Sequence, residues 1–495
     1  MPVLTVICGA EVRRAEFSGE APLHVLLAQA GFPVQQPCGG RGVCGKCAVR
    51  LSGAVSAPNA QEQAHGARLA CQAQILGDAE VILPNERRFL QIETRSGTAI
   101  PALHPMAGRL GLAVDIGTTT LAAALCDLKT GSVLASAGLL NPQTQIAADV
   151  MGRIGAAMNG GLDTLRRQAE QGVLSLLQQT CREAGRAETE VDALVLTGNT
   201  TMLYLLTGRD PACLSRAPFA ADTLFGVQTE LFGRSAYLPP CMNAFVGADI
   251  TCAVLVSGMC RTGETALLCD AGTNGELALW HNGTLYVTST AAGPAFEGAG
   301  ISCGCGSTAG AIDRVWTENG EIRIHTIADA PPCGLCGSGL IDAVAVFLAR
   351  EDISITGAAP AEGLALCPSV QLLRGDIRAV QAAKAAIAAG IGLLLRSAGI
   401  GPENIGMFYL AGGFGSHLDL RSAAAIGLFP EALVPCAHVI GNAALSGAEL
   451  LLLDRTQREA AQALAAQARH VSLAGHPDFN DVYVENMLFG SDEDE

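Results

Sequence analysis

Four cysteines near the start of the chain have a spacing that suits metal chemistry. Cys38, Cys44, Cys47 and Cys71 follow the pattern Cys-x5-Cys-x2-Cys-x23-Cys, and glycines surround the first three. Four thiolates, three of them in one loop, suit a [2Fe–2S] cluster that takes two ligands on each iron. The glycines favour the same chemistry, because a loop around a cluster must turn tightly and direct backbone N–H groups at the sulfur atoms.

A structural zinc site is the alternative for these cysteines. Such a site normally uses two Cys-x2-Cys pairs, and here only Cys44 and Cys47 form one. No histidine is placed to substitute for a cysteine ligand, which argues against a Rieske-type centre. The cysteine pattern therefore favours a [2Fe–2S] cluster over zinc.

Two later segments each carry Asp-x-Gly-Thr at the end of an apolar strand. The first, at 112–120, contains Asp115, and the second, at 267–276, contains Asp270, 155 positions further along the chain. Two tight turns of this kind can close on nucleotide phosphates from two sides, with hydroxyl and backbone N–H groups as donors. The residues that we expect to contact the nucleotide in these turns are Thr118, Thr119, Thr120, Gly272, Thr273 and Asn274.

Carboxylates in the same two turns suit a magnesium ion. We expect Asp115 and Asp270 to act in catalysis by holding Mg²⁺, partly through water, because Mg²⁺ keeps much of its hydration shell when it binds a protein. A further glycine turn, at Gly412 and Gly413, follows the apolar strand at 407–410. Glycines there would let the backbone lie against adenosine. The three turns together predict a site for ATP and Mg²⁺.

The composition limits the kinds of partner and the cellular location. The chain has 495 residues and a formal charge of −16, from 31 Lys and Arg against 47 Asp and Glu. This acidic balance argues against binding to nucleic acid or to an anionic membrane, because both need a basic surface. The longest apolar run, Ala385 to Leu395, is shorter than the roughly 20 residues that cross a bilayer, and no signal peptide is recognisable. We therefore expect a cytoplasmic protein, in which its 18 cysteines stay reduced.

The predicted elements divide the chain into two modules. Residues 1–95 open with a hairpin and a short helix from Pro22 to Ala30, and residues 96–110, rich in turn formers, form a linker. Residues 111–495 alternate apolar strands that end in glycine turns with amphipathic helices, which predicts an α/β architecture with ligands at the strand ends. Its two lobes are expected at 111–250 and 251–495, and the second ends in a solvated acidic tail.

Each module resembles a known family. The cysteine loop closely resembles that of β-grasp [2Fe–2S] ferredoxins of the longer-spaced type, and this resemblance implies that Cys38, Cys44, Cys47 and Cys71 are the cluster ligands. The paired Asp-x-Gly-Thr turns and the Gly412-Gly413 strand end resemble the actin/sugar kinase/Hsp70-like ATPase superfamily, across about 111–450. That resemblance implies a two-lobed, duplicated RNase H-like fold that hydrolyses ATP.

The combination of the two modules resembles the reductive activators of corrinoid proteins. This resemblance implies an ATP-dependent one-electron reductase that returns the cobalt(II) of a corrinoid methyl-transfer protein to cobalt(I), with the electron passing through the [2Fe–2S] cluster. It also implies an upstream low-potential reductant and suggests a homodimer. The further stretches that fit the family are 141–143, 198–202, 293–298, 336–339 and 412–415.

Three other functions fit parts of the sequence. The first is an ATP-driven electron injector like the activators of 2-hydroxyacyl-CoA dehydratases, which hold a [4Fe–4S] cluster between protomers. The second is a small-molecule kinase with a redox sensor, and the third is an ATP-gated binding module for a metalloprotein. A second group of cysteines bears on the first alternative, because four thiolates in the ATPase could hold a [4Fe–4S] cluster or zinc unless they are simply buried thiols. These cysteines are Cys303, Cys305, Cys333 and Cys336.

Overall fold

The computed structural model describes residues 1–8, 11–30, 32, 34, 40–43, 45–83, 100–415 and 417–490. Two of the predicted cluster ligands, Cys38 and Cys44, lie outside the described residues. The start of the predicted linker, at 96–99, and the predicted acidic tail, at 491–495, also lie outside them. The described chain forms a small sheet module followed by two larger lobes.

A mixed sheet builds the first module. Its elements are β1 (Val3–Cys8), β2 (Glu11–Glu16), β3 (Ala21–Pro22), α1 (Leu23–Gln29), β4 (Ala48–Val55), α2 (Ala60–His65), β5 (Arg68–Leu69) and β6 (Gln74–Ile82). The sheet order is β2-β1-β6-β4-β5, and β6 runs parallel to β1. The helix α1 buries Leu23, Leu26 and Leu27 in the core of the module. The predicted β-grasp fold, with its opening hairpin and short helix, is confirmed.

A buried carboxylate holds the segment that leads to Cys71. Glu62 accepts hydrogen bonds from Arg68 Nε and from the backbone N–H of Leu69, each at 2.9 Å. It also accepts from the backbone N–H of Asn59, the residue that caps α2, at 3.0 Å. Burial acts to raise the pKa of Glu62, but these hydrogen bonds outweigh burial and hold the pKa below its ordinary value. Glu62 thus ties α2 to β5, directly before Cys71.

The variant Glu62→Gln should lower the free energy of unfolding of this module by about 1–3 kcal/mol, because it loses hydrogen bonds to a charged acceptor. The measurement is the temperature at which the visible iron–sulfur absorption is lost. In the parent, the stability that Glu62 supplies is present above the ordinary pKa of 4.5 and is lost as the pH falls through the lower folded-state pKa. Glu80→Gln, at an exposed position of β6, is the control, and equal losses in both variants would contradict the role of Glu62.

A six-stranded sheet forms the core of the first lobe. Its strands are β7 (Leu110–Ile116), β8 (Thr120–Asp127), β9 (Val133–Leu140), β10 (Val191–Gly198), β11 (Phe225–Leu231) and β12 (Arg234–Pro240), in the order β11-β12-β10-β7-β8-β9. The strands β7, β8 and β9 are antiparallel neighbours, and β10 runs parallel to β7 on its other side. The first Asp-x-Gly-Thr segment is therefore the β7–β8 hairpin, as predicted.

The second lobe repeats this sheet. Its strands are β13 (Ala266–Ala271), β14 (Gly275–His281), β15 (Thr284–Thr290), β21 (Met407–Ala411), β22 (Ala437–Val439) and β23 (Arg469–His470), in the order β22-β21-β13-β14-β15-β23. Again three antiparallel strands are followed by parallel strands, because β21 runs parallel to β13 and β22 to β21. The duplication seen in the two hairpins therefore extends to five strands of each sheet, as the predicted RNase H-like fold requires, and the sixth strands, β11 and β23, lie at opposite edges.

Smaller strands extend the second lobe. A three-stranded sheet contains β16 (Ala311–Glu318), β17 (Glu321–Thr326) and β18 (Gly334–Leu335), and a hairpin contains β19 (Leu364–Cys367) and β20 (Val370–Leu372).

In chain order the helices of the two lobes are α3 (Val150–Ala156), α4 (Leu162–Glu183), α5 (Thr200–Leu206), α6 (Ala248–Ser257), α7 (Gly337–Ala349), α8 (Arg374–Ala398), α9 (Gly412–Gly415), α10 (Leu420–Ala425), α11 (Ala443–Leu453), α12 (Gln457–Gln467) and α13 (Phe479–Glu485).

Two helices lie between the sheets of the two lobes. Residues of α6 and α11 share one apolar core with both sheets, which contribute Ala113 and Val195 from one lobe and Leu268 from the other. The two helices approach closely, because a Cβ on Gly447 of α11 would lie 2.3 Å from the carbonyl oxygen of Cys252 of α6. The amino-terminal ends of both helices are thereby directed at the space between the lobes.

The predicted amphipathic helices cover the outer faces of the sheets. In α4 the buried residues Leu165, Ala169 and Val173 repeat at helical spacing and pack in the outer core of the first lobe. The helix α8 occupies the equivalent core of the second lobe. By length and composition α8 could span a membrane, but 78% of its apolar window is buried inside the protein. Its apolar character is explained by this burial on many sides.

The described part of the predicted linker is held against the second lobe. The backbone N–H of Met106 donates to the carbonyl of Leu452 at 2.9 Å, and Met106 is buried. His104 lies 3.5 Å from the carboxylate of Asp454, and its carbonyl accepts from the N–H of Arg455. Residues 104–106 are therefore docked at the end of α11.

Candidate functional site

The two hairpins face each other across a cleft between the lobes. The cleft has a volume of about 750 Å³. All ten residues predicted to contact the nucleotide or its metal ion line it, and they come from both hairpins and from α9: Asp115, Thr118, Thr119, Thr120, Asp270, Gly272, Thr273, Asn274, Gly412 and Gly413. The ends of the central strands β7 and β13 meet here because the two sheets have the same topology.

Polar side chains behind the first hairpin hold its turn in place. The amide of Asn141 donates to the carbonyl of Gly117 at 2.8 Å, and the buried guanidinium of Arg153 donates to the carbonyl of Thr118 at 2.5 Å. The turn also requires a glycine, since a Cβ on Gly117 would lie 2.6 Å from the carbonyl oxygen of Thr120. With its carbonyls used in this way, the turn can offer its hydroxyls to the cleft.

Asn199 and Glu297 fix these hydroxyls from two directions. Asn199 caps α5 and its amide donates to Thr118 Oγ1 at 3.0 Å. The carboxylate of Glu297 accepts from Thr119 Oγ1 at 2.5 Å and, through its other oxygen, from Thr273 Oγ1 at 2.6 Å. Glu297 therefore joins the first hairpin to the second across the cleft.

Four carboxylates lie deeper in the cleft. Burial, against a hydrogen bond from Asn442 and with a contribution from the negative charge of Asp270, raises the pKa of Asp115 to about 7. Burial likewise raises the pKa of Asp270 to about 6. For Asp249, burial and the charge of Asp115 raise the pKa to about 8. Glu276 also has a raised pKa, because of burial and the charges of Asp249 and Asp270. The group is one that a bound cation would stabilise.

The predicted adenosine turn lies directly against one of these carboxylates. Gly412 has a φ of +85°, and a Cβ there would lie 2.5 Å from Oδ1 of Asp270. Its backbone N–H donates to the carbonyl of Gly441 at 2.9 Å. A glycine is thus required at 412 by the approach to Asp270, which the sequence pattern alone did not indicate.

Five cleft residues were missed as site residues by the sequence analysis. Asp249 stands in the first turn of α6 and Asn442 caps α11, so both depend on helices that cross between the lobes. Asn199 and Glu297 lie in stretches that were noted only for their family resemblance, and Glu276 lies three residues after the second Asp-x-Gly-Thr. The signal for Glu276 was its place in the hairpin, whereas Asp249 and Asn442 had no local signal.

The described part of the cysteine loop has the features that a [2Fe–2S] cluster requires. Cys47 and Cys71 are neighbours, and the hydrogen bond from Cys47 lowers the pKa of Cys71 to about 6. Gln72 Nε2 lies 3.6 Å from the sulfur of Cys71 and donates to the carbonyl of Gly40 at 2.5 Å. Gly40 and Gly42 have φ values of +75° and +74°, which favour glycine. Two predicted ligands are thus adjacent, and their sulfur environment suits an anionic cluster.

The thiols of the second group of cysteines make hydrogen bonds within the protein, and those of Cys305 and Cys333 are hydrogen-bonded to each other. The thiol of Cys336 donates to the carbonyl of Ile312 at 3.3 Å, and that of Cys333 to the carbonyl of Ala309 at 3.7 Å. Among the residues that the structure describes, which include all four cysteines of this group, no set of three or more metal-binding side chains is arranged to hold a metal ion.

Three family models match this chain in succession. A 2Fe-2S iron-sulfur cluster binding domain matches residues 7–76, the RACo middle region matches 110–262, and the C-terminal domain of RACo, the ASKHA domain, matches 264–495. The chain is also 33% identical over 423 residues to the corrinoid activation enzyme RamQ of Eubacterium limosum, which covers 77% of this chain and 70% of RamQ. The chain belongs to the family of corrinoid activation enzymes.

Two other relatives show how far the similarity to this family extends. The [Co(II) methylated amine-specific corrinoid protein] reductase of Methanosarcina barkeri is 26% identical over 420 residues, which is 77% of each chain. The solved structure of a reductive activator for corrinoid, iron-sulfur protein is 26% identical and superposes with a TM-score of 0.72 over 98% of each chain. The order of modules is therefore that of the family, and this member has a [2Fe–2S] module and a nucleotide-binding ATPase module.

The variant Asp115→Asn should stabilise this family member at pH 8 when no divalent cation is present. The folded-state pKa of Asp115, about 7, lies above the ordinary 3.8. The folded protein therefore binds more protons than the unfolded chain between these values, and stability falls as the pH rises through them. Asparagine has no charge to bury, so the melting temperature of the variant should exceed that of the parent by about 1 °C for each kcal/mol gained, since a chain of this size has a large unfolding entropy.

The advantage of Asp115→Asn should shrink at pH 5 and should disappear when Mg²⁺ is added, because the ion stabilises the parent. Thermal melts at the two pH values, with and without Mg²⁺, provide the measurement. The exposed Asp481→Asn is the control. Parallel pH profiles for Asp115→Asn and the parent would contradict the burial of charge at this position.

Proposed function

We propose that this protein is an ATP-dependent one-electron reductase that returns the cobalt(II) of a corrinoid methyl-transfer protein to cobalt(I). The observation that carries the proposal is the union, in one chain of this family, of a [2Fe–2S] module with a cleft that two Asp-x-Gly-Thr hairpins enclose. The [2Fe–2S] cluster supplies the one-electron chemistry when it is bound. Cys38, Cys44, Cys47 and Cys71 would hold it.

The charge of the cleft supports binding of ATP together with Mg²⁺. Among the described residues that line the cleft there is no lysine or arginine, whereas Asp115, Asp249 and Asp270 all line it. A triphosphate would be repelled by these carboxylates unless a divalent cation lay between them. We infer that Asp115 and Asp270 hold Mg²⁺, mostly through water. Glu276 and Asp249 lie close enough to add to the negative field.

The hairpin hydroxyls and helix ends support phosphate binding. Thr118 and Thr119 in the first hairpin and Thr273 in the second direct hydroxyls or backbone groups at the cleft. The amino-terminal turn of α7, at Gly337 and Ser338, also lines it. The end of a helix attracts phosphate because its backbone N–H groups have no partner within the helix. The adenosine would then lie on the backbone at Gly412 and Gly413.

ATP is needed because cobalt(II) in a corrinoid is hard to reduce. Plant-type [2Fe–2S] clusters have potentials near about −400 mV, and a tenfold change in a one-electron equilibrium corresponds to about 59 mV. A deficit of about 100–200 mV therefore costs about 2–5 kcal/mol. ATP can supply this only if the nucleotide-bound protein has different affinities for the two cobalt states.

Asp115→Ala and Asp270→Ala should each abolish ATP hydrolysis while leaving the visible iron–sulfur spectrum intact. The reason is that both carboxylates lie in the cleft, in a module separate from the one that contains Cys47 and Cys71. Phosphate release and the absorption spectrum are measured on the same anaerobic samples. A bleached spectrum in either variant would contradict the separation of the two modules.

The proposed activity is tested optically under anaerobic conditions. The chemically reduced protein is mixed with a corrinoid protein of the same organism in the cobalt(II) state, and Mg-ATP is then added. Growth of the cobalt(I) band only after ATP addition supports the proposal and identifies the partner. If ATP is hydrolysed and the cluster remains intact but cobalt(I) does not form, the acceptor is another metalloenzyme.

The remaining partners follow from this activity. A low-potential donor must return an electron to the [2Fe–2S] module after each turnover. We place the protein in the cytoplasm, where its cysteines stay reduced, and no disulfide joins the cysteines among the described residues. The homodimer that the family resemblance suggests stays a prediction, which the mass of the purified protein in solution would test.

A further inference from the structure

One lysine joins the iron–sulfur module to the ATPase. Lys46 precedes Cys47 in the loop that carries three of the predicted cluster ligands, here called the cluster loop, residues 38–47. Its ammonium donates to the carbonyl of Gly304 at 2.5 Å and lies 3.5 Å from the carbonyl of Ser302. Lys46, in the described part of the cluster loop, thus contacts residues 302–305 of the second lobe, here called the docking segment.

The docking segment continues directly into the nucleotide cleft. Cys305, at its end, lines the cleft together with Glu297. Between them the backbone packs without spare room: a Cβ on Gly304 would lie 2.3 Å from the carbonyl oxygen of Gly298, and a Cβ on Gly298 would lie 2.3 Å from that of Cys305. Gly298 ends the short helical turn Pro294–Glu297. A displacement of the backbone at Glu297 would therefore reach the docking segment, because the backbone between them is closely packed.

The docking segment is also tied to the body of the second lobe. The backbone N–H of Ser302 donates to Asp376, in the first turn of α8, at 2.7 Å. The backbone N–H groups of Cys305 and Leu335 donate to the carbonyls of Leu335 and Cys303 respectively, each at 2.8 Å. These bonds give the segment a defined position, and with it the two carbonyls that Lys46 contacts.

Glu297 competes with phosphate for the same donors. Its carboxylate accepts the hydroxyls of Thr119 and Thr273, one from each hairpin. These are the hydroxyls that the two turns offer to a nucleotide phosphate. A phosphate oxygen that takes either hydroxyl also repels the carboxylate, since both carry negative charge. An ATP phosphate bound to these hydroxyls and the Glu297 carboxylate in its bridging position therefore exclude each other.

We propose that Glu297 is a positioning residue that couples phosphate binding in the cleft to the contact between Lys46 and the docking segment. Through this coupling, bound nucleotide controls release of the cluster loop. Phosphate displaces the Glu297 carboxylate, the turn that ends at Gly298 moves, and the carbonyls of Ser302 and Gly304 leave the ammonium of Lys46. The freed cluster loop can then meet the cobalt-containing partner. The inference rests on the proposed function in one respect, that ATP binds in this cleft.

The lysine content of the chain provides a direct test. The sequence has only three lysines, Lys46, Lys129 and Lys384. Lys129 is exposed and serves as an internal reference, whereas Lys384 is buried. The intact iron–sulfur protein is treated anaerobically with a small amine-acylating reagent, and acylation of each lysine is followed by mass spectrometry. Without nucleotide, we expect Lys46 to react several-fold more slowly than Lys129. Once a non-hydrolysable Mg-ATP analogue is bound, Lys46 should react several-fold faster than it does without nucleotide, whereas the rate at Lys129 should be unchanged.

Glu297→Gln tests the residue that transmits the signal. Glutamine keeps the shape of the side chain but carries no charge, so a bound phosphate no longer repels it. The nucleotide effect on Lys46 should be lost or strongly reduced. Glu431→Gln, an exposed carboxylate of the same lobe, should retain the full effect. A nucleotide response that is unchanged in Glu297→Gln would overturn the role of Glu297.

A second readout follows the cluster itself. Lys46→Ala should raise the rate at which a small external dye oxidises the reduced cluster, without nucleotide, to the rate seen in the parent with the ATP analogue. Arg50→Ala, at an exposed cation of the same module, is the matched control and should keep the nucleotide dependence. An unaltered rate in Lys46→Ala would overturn the role of the Lys46 contact.

The outcomes separate this inference from the proposed function. Equal acylation of Lys46 with and without bound analogue, when binding is verified by a fluorescent nucleotide, overturns the inference and leaves the reductase proposal standing. Failure of the analogue to bind overturns both. If the acylation rate of Lys46 depends on nucleotide but the protein never forms cobalt(I), the coupling is supported and a corrinoid protein is rejected as the partner.

Discussion

The structure depends on gathering five carboxylates in one cleft that has no lysine or arginine among its described lining residues. Burial raises the pKa values of Asp115, Asp249 and Asp270 to about 7, 8 and 6, and repulsion from neighbouring carboxylates contributes for Asp115 and Asp249. Such an arrangement costs folding free energy, and a protein keeps it only where function needs it. A divalent cation together with a nucleotide resolves the repulsion, so the cleft favours the occupied state.

The duplicated architecture is what makes this convergence achievable. Each lobe places an aspartate at the end of its central strand, β7 or β13, and each follows it with a glycine turn. The helices α6 and α11 fill the space between the sheets and bring Asp249 and Asn442 to the same point. The apolar core around these helices thereby offsets the cost of the polar cleft above it, because burial of apolar surface is the main stabilising contribution.

The two modules are joined by chemistry as well as by the chain. A carboxylate that bridges two hydroxyls lies at one end of a closely packed backbone segment, and a lysine of the cluster loop lies at the other. A bound phosphate can therefore act on the iron–sulfur module through a short series of direct contacts. An ATP-driven electron transfer requires a route of this kind, since hydrolysis can favour one cobalt state only through contacts that differ between two protein states.

The sequence alone determined the features that depend on local spacing. The β-grasp and duplicated ATPase folds, the helices α4 and α8 and the two hairpins could all be recognised, because each is specified by residues close together in the chain. Eight of the ten predicted cleft residues come from the two hairpins, whose turns lie at equivalent ends of the two sheets, and the other two come from α9. Tertiary structure alone decided the contributions of Asp249, Asn442 and Glu297, and the contact between Lys46 and Gly304. These residues come from separate elements, and their proximity arises only when the two sheets pack around shared helices, an arrangement that no local pattern encodes.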